Sequence, residues 1–155
     1  MLMEIKKATL KNLKEIISLN QQLFDYEYAN FDKTLNCKWP SKNIEYYKKS
    51  ITNKESITLL AFIDGKIVGY LIGAINKTES YRNIKKIAEI DNMFILPQFR
   101  GLNIGSSLYN KFINWMKTKG IKKIRVIASS KNGKAIDFYK KNGFLEYNLT
   151  LEKDI

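Results

Sequence analysis

The sequence of 155 residues predicts an α/β fold, a mixed β-sheet flanked by helices in the order β-α-α-β-β-β-α-β-α-β. Three observations carry that prediction. "ITLLAFIDGKIVGYLIGAI" is two apolar runs broken by Asp64-Gly65, which signals a β-hairpin. "FILPQFRGLNIGSSL" passes from an apolar strand, through a glycine-bearing turn, into residues with helical spacing. "IKKIRVIAS" then reads as a strand again, so the strands on either side of that helix are expected as parallel neighbours joined by a right-handed crossover.

Each element follows from a local pattern. "MEIKKA" alternates and reads as a first strand. Thr9 is a plausible N-cap for a helix whose inner face holds Leu13, Ile16, Ile17, Leu23 and Phe24. A second short helix follows Pro40-Ser41, with Ile44, Tyr47 and Ile51 turned inward. After the hairpin, "IKKIAEIDNMFI" is another strand. The helix from Ile104 carries Leu108, Phe112 and Trp115 and ends at Gly120, a C-cap residue. "NGKAIDFYKKN" is a helix closed by Gly143, and alternating Leu145, Tyr147, Leu149 and Leu151 predict a final half-buried strand. With no repeat or linker in view, residues 1–155 read as one domain.

Composition narrows the chemistry. No apolar run is long enough for a membrane span, and the N-terminus lacks the apolar block of a signal peptide. Cys37 stands alone, which fits a reducing, cytoplasmic setting. The absence of histidine excludes Cys/His zinc sites and Ser-His or Cys-His catalysis, and no metal is expected. A net charge of +12 raises nucleic acid as a partner. Yet only Arg82, Arg100 and Arg125 are arginine, the residue best suited to gripping bases and phosphates, so no nucleic-acid partner is expected. Two windows stand out against the basic background. Residues 15–32 have no lysine or arginine but hold Glu15, Asp25, Glu27 and Asp32; residues 87–99 likewise hold only Glu89 and Asp91.

The turn after the apolar strand suits an anion. Gly101 and Gly105 permit close backbone approach, the helix start offers N–H groups, and Arg100 supplies a cation. Its spacing matches neither the lysine-bearing phosphate loop nor the dinucleotide fingerprint. On these residues alone an ordinary glycine-rich connection stays open.

"EIDNMFILPQFRGLNIGSSLYNKFINW" with "NGKAIDFYKKNGF" resembles the GCN5-related N-acetyltransferase (GNAT) family, which uses acetyl-coenzyme A. The family's pyrophosphate turn is matched by Arg100-Gly101-Leu102-Asn103-Ile104-Gly105, with Asn103 where glycine is usual. Asparagine tolerates positive φ better than other side chains, so the turn survives the change. The later family signature is matched at Asn132, Ala135, Phe138, Tyr139, Gly143 and Phe144.

The resemblance implies a GNAT-type fold and direct acetyl transfer to an amine in a ternary complex. It places the pantetheine beside main-chain groups of Met93, Phe94 and Ile95, as if it were an added strand. Coenzyme contacts extend over the turn to Ser106 and to Asn132, Phe138 and Tyr139. Tyr139 matches the family's general acid, which protonates the departing thiolate. For the base, Glu89 matches the family's glutamate, Asp91 is second, and water alone is the third option. Cys37 is not expected as a nucleophile, since direct transfer needs no covalent intermediate. The acceptor is implied to meet the region "FDYEYANFD", through Phe24, Asp25, Tyr26, Glu27 and Tyr28. Carboxylates and aromatic faces both favour cations, so a small polyamine, amino sugar or amino-acid-like amine is expected. Ordinary surface acids at a helix end would give the same pattern. A homodimer is compatible with the sequence. The rival functions are a non-catalytic coenzyme A-binding or sensor domain and, less favoured, a nucleic-acid-binding protein.

Overall fold

The computed structural model describes all of residues 1–155. Five strands form one sheet in the order β1 (Met3–Lys7), β2 (Ser56–Ile63), β3 (Lys66–Lys77), β4 (Lys86–Ile95) and β5 (Ile124–Val126). The first four are antiparallel neighbours and β5 is parallel to β4. The hairpin forms where Asp64-Gly65 stands, with φ of 47° and 80°. Two successive positive φ values match the twist of the flanking strands, which is why the Asp-Gly pair sets this register.

Both faces of the sheet are covered. Helices α1 (Leu13–Asn30), α2 (Trp39–Lys42) and α3 (Ile44–Thr52) lie on one side, where Ile16, Leu19 and Tyr47 pack against Leu60, Tyr70, Ile72 and Phe94. Helices α4 (Ile104–Thr118) and α5 (Gly133–Lys141) lie on the other, where Leu108, Phe112 and Met116 meet Leu59, Leu71, Ala88 and Ile90. Each such aliphatic side chain, fully buried, stabilises the fold by about 1.5–3 kcal/mol. A single-turn helix at Leu10–Asn12 precedes α1, and the Asn12 side chain accepts the Thr9 N–H at 2.9 Å. Thr9 therefore starts this turn rather than α1 itself.

Three expectations are corrected. Ile44 begins α3 but is 46% exposed; Tyr47 and Ser50 take the buried face. β5 keeps only three residues of "IKKIRVIAS". Residues 145–151 form no strand: Leu145, Tyr147, Leu149 and Leu151 are all exposed, and nothing pairs with their backbone. Alternation specifies a face, but a strand also needs a partner for its hydrogen bonds.

Candidate active site

The site begins with a gap in the sheet. β5 pairs with β4 only over Ala88–Ile90, so from Asp91 to Ile95 the edge of β4 on that side has no strand beside it. An edge of this kind can take an extended ligand by main-chain hydrogen bonding.

Directly after the gap comes the glycine-bearing turn. Gly101 has φ 80°, and Asn103 has φ 59° and ψ 18°, so asparagine occupies the left-handed region it tolerates. Asn103 is the N-cap of α4, and its carbonyl accepts from Ser107 N at 3.0 Å. None of the main-chain N–H groups of residues 102–106 donates to an acceptor within the chain. Together with the helix dipole they form an anion cradle. Gly105 needs no unusual φ. A Cβ there would come 3.4 Å from Ile95 Cδ1 and 3.6 Å from Phe138, filling the seam between β4 and α5.

Arg100 is placed differently from expectation. Its Nε donates to the Ile95 carbonyl at 3.0 Å, and the guanidinium lies 5.4 Å from the Phe94 ring and 5.5 Å from Tyr26. Phe94 belongs to the α1 side, so this cation ties the end of β4 to α1 instead of standing over the turn.

Two carboxylates sit on β4, and a β-bulge gives them different surroundings. Register steps from Gly73↔Ile90 to Ile72↔Asn92, leaving Asp91 as the extra residue. Asp91 and Asn92 consequently share a side. Tyr46 O–H donates to Asp91 Oδ2 at 3.1 Å, and Asn92 Nδ2 donates to Tyr46 Oη at 3.1 Å. Burial of its carboxyl holds Asp91 above its ordinary pKa, against the Tyr46 hydrogen bond and with help from the nearby Glu89 charge. Glu89, the first expectation for the base, is instead bound by Arg125 Nη2 at 2.8 Å and Asn76 Nδ2 at 3.0 Å. Burial would raise its pKa, but these two hydrogen bonds prevail and hold it below the usual range. A carboxylate so stabilised is a poor proton acceptor.

On α5, Tyr139 is 8% exposed and packs against Phe138 and Phe144. Its hydroxyl makes no hydrogen bond within the chain, and burial, then Tyr109, push the phenol up to about 12. Asn132 is the N-cap of α5: its Oδ1 accepts from Ala135 N at 3.1 Å, so only its amide NH₂ is left for a ligand.

The acidic end of α1 separates into distinct roles. Glu27 lies two turns beyond buried Asn20 on one helix stripe, and its charge contributes to raising the Tyr70 phenol after burial. Burial, then Asp32, hold the Glu27 carboxyl above its usual range. Asp25 accepts from Gln21 at 2.9 Å on the exposed surface, and Asp32 accepts from Thr34 N at 2.9 Å in a local turn. Of the aromatics, Phe24 stacks on Trp39, Tyr26 carries Arg100, and Tyr28 lies under Lys33. Neither Glu27 nor Asp91 forms an ion pair, despite 27 basic residues.

Sequence reasoning missed the polar network that joins α1, α3, β3 and β4. Asn20 Nδ2 donates to Tyr70 Oη at 2.7 Å, Tyr47 O–H donates to Asn20 Oδ1, and Tyr46 links Asp91 to Asn92. One signal was available: adjacent Asp91-Asn92 places two polar residues in a row and breaks the alternation of the strand.

Comparison with known proteins identifies the family and the fold. The model of the acetyltransferase (GNAT) family matches residues 19–144. An uncharacterized N-acetyltransferase, MJ1207 of Methanocaldococcus jannaschii, is 31% identical over 145 residues; the match covers 92% of this chain and 62% of that protein, so the chain spans less than two thirds of it. A spermidine N(1)-acetyltransferase of Thermoplasma acidophilum is 24% identical over 151 residues, covering 93% of this chain and 89% of the relative. Among solved structures, AAC(6')-Iy in complex with the bisubstrate analog CoA-S-monomethyl-acetylneamine superposes with a TM-score of 0.79 at 17% identity, covering 100% of this chain and 99% of that one.

Proposed function

The chain belongs to the acetyltransferase (GNAT) family, and from that premise we propose that it transfers an acetyl group from acetyl-CoA directly to a primary amine of a small cationic acceptor. One observation carries the proposal: the open β4 edge leads from Asp91, a carboxylate without a cation and with a raised pKa, to a turn whose N–H groups have no acceptor within the chain. The residues fit the coenzyme. Residues 102–106 suit its pyrophosphate, the edge from Met93 to Ile95 suits its pantetheine arm, and the absent Cβ of Gly105 leaves the seam between them clear. Acetyl-CoA supplies an activated acyl group as a thioester.

This chain's groups then divide the work. Asp91 accepts the proton an ammonium acceptor must lose before its nitrogen can attack, and a raised pKa suits that role. Tyr46 and Asn92 hold Asp91 in place. A main-chain N–H of the β4 edge faces the charge that develops on the carbonyl oxygen. Tyr139, kept protonated by burial, donates to the departing thiolate, leaving coenzyme A and the amide as products. The unpaired Glu27 carboxylate holds a second positive charge of the acceptor. The spermidine-acetylating relative and the acetylneamine analog bound to the structural neighbour support a polyamine or amino sugar.

The test is thiol release from acetyl-CoA across polyamines, aminoglycosides, amino acids and peptides. Turnover with a polyamine or amino sugar is expected. Tight acetyl-CoA binding with no turnover on any amine would instead leave a coenzyme A-binding domain.

A further inference from the structure

The loop between β3 and β4, residues 78–85, borders a cavity of about 330 Å³, with Lys77 and Lys86 at the ends of the two strands. All of its lining residues are polar or charged: the cations Lys77, Arg82, Lys85 and Lys86, the carboxylate Glu79, and Thr78 and Ser80. The cations are unevenly matched. Lys86 pairs with Glu55 at 3.7 Å, whereas Lys77 and Lys85 form no ion pair. Glu79 is held by Arg125 at 3.0 Å and stands 3.9 Å from Arg82 Nη1, beyond hydrogen-bond reach. Arg82 is the anomaly. Its side chain is 12% exposed, the Tyr147 ring covers one face of its guanidinium at 4.5 Å, and its Nη1 is buried with no acceptor. A donor on a charged group that loses water and gains no acceptor is unfavourable, so the chain leaves this site one partner short. The main-chain N–H of Ser80, beside it, also donates to nothing within the chain.

We propose that this cavity binds a phosphate dianion, as inorganic phosphate or as the phosphate of a small polar monoester, at a site separate from the turn of residues 102–106. β4 has ten residues at a rise of roughly 3.3 Å each, so the cavity at its first residue lies roughly 30 Å from the turn beyond its last. Arg82 offers the N–H groups in the plane of its guanidinium while one face rests on Tyr147, and Lys77 and Lys85 add charge from the rim. Phosphate suits donors that arrive from several directions, because its oxygens are tetrahedral; a carboxylate presents two in one plane. It also supplies the acceptor that Arg82 Nη1 lacks. Glu79 is the one opposing charge in the lining, and Arg125 already balances it. The volume is at the lower end of the range of about 300–1,000 Å³ for small-ligand sites, and no hydrophobic residue is present to hold a base or an acyl chain.

Amide and arginine N–H NMR spectra, recorded at a constant ionic strength of about 0.15 M, read the site residue by residue as phosphate is added. Inorganic phosphate is expected to shift the signals of residues 77–86 and to saturate. R82Q is expected to weaken that binding about tenfold or more, and K77Q with K85Q several-fold. A control pair at the start of α1, K11Q with K14Q, removes the same charge as the lysine pair of the cavity and is expected to leave binding unchanged. Glycerol 3-phosphate, titrated in parallel, separates the two sources: tighter binding than phosphate assigns a monoester, equal or weaker binding assigns free phosphate, and both results uphold the site. The absence of a saturable shift at residues 77–86 overturns the proposal, as does a shift confined to residues 102–106. So does a control pair that weakens binding as much as the cavity pair, which would reduce the effect to the general field of a +12 surface.

Discussion

Glu89 and Asp91 are two residues apart on β4, yet their surroundings push their carboxyls in opposite directions. Glu89, below the ordinary value, adds stability that is present above pH 4.5 and is lost as pH falls through its lower folded pKa. Asp91, above its ordinary value, does the reverse: ionising it in the folded state opposes folding. Asp91→Asn is therefore expected to raise the melting temperature at neutral pH while lowering turnover about 10²–10⁴-fold and removing the acidic limb of the kcat/KM profile. Tyr46 donates to the ionised form of Asp91, so Tyr46→Phe should move that limb to higher pH. A limb that stays in place would mean the titrating group is elsewhere. Tyr139→Phe keeps the ring and its packing, so coenzyme binding should persist while turnover falls about 10²–10⁴-fold. With the phenol near 12, the wild-type profile should show no loss from this group below about pH 11.

At the scale of elements, the bulge in β4 depends on a neighbour in β3. A Cβ on Gly73 would stand 2.3 Å from Phe112 Cε2 and 2.9 Å from the Glu89 carbonyl, so the glycine lets the two strands and α4 meet where register shifts. Gly73→Ala should cost about 1–3 kcal/mol in chemical denaturation and should reduce kcat by displacing Asp91. Unchanged activity in the destabilised variant would detach catalysis from the bulge. Helix α1 gives the other test. Its acidic end has one inward carboxylate, and Glu27→Gln should raise KM for the preferred amine several-fold without altering KM for acetyl-CoA. Asp25→Asn and Asp32→Asn should leave both constants within error, since those groups serve Gln21 and Thr34. Steady-state kinetics on the three single variants separates these roles.

For the whole molecule, the charge of +12 would oppose the approach of the cationic acceptor proposed above. Affinity for such an acceptor would have to come from carboxylates left without cations, and Glu27 and Asp91 meet that condition. Salt has two opposed effects here: it screens the global repulsion and the local attraction together. The local pair acts at shorter range, so amine KM should change little at low salt. It should rise once the screening length falls to about 3 Å near 1 M. A KM that falls steadily with salt would show that repulsion governs, and would remove Glu27 from acceptor binding.

By itself the sequence determined the hairpin at Asp64-Gly65, the strand–turn–helix of residues 94–118 and the helix of residues 133–141, because each rests on local backbone chemistry. It also determined the left-handed Asn103. Tertiary structure decided what depends on neighbours distant in the chain. Arg125 lies far from Glu89 in sequence, and only the parallel pairing of β5 with β4 brings it close enough to bind that carboxylate. The different surroundings of Asp91 and Glu89, the turning of Arg100 toward Tyr26 and the separation of Glu27 from Asp25 all arise in this way. The tail is the converse case. Its alternation is a local property and was legible, but a strand exists only where another backbone completes its hydrogen bonds, and no pattern within one segment supplies that partner.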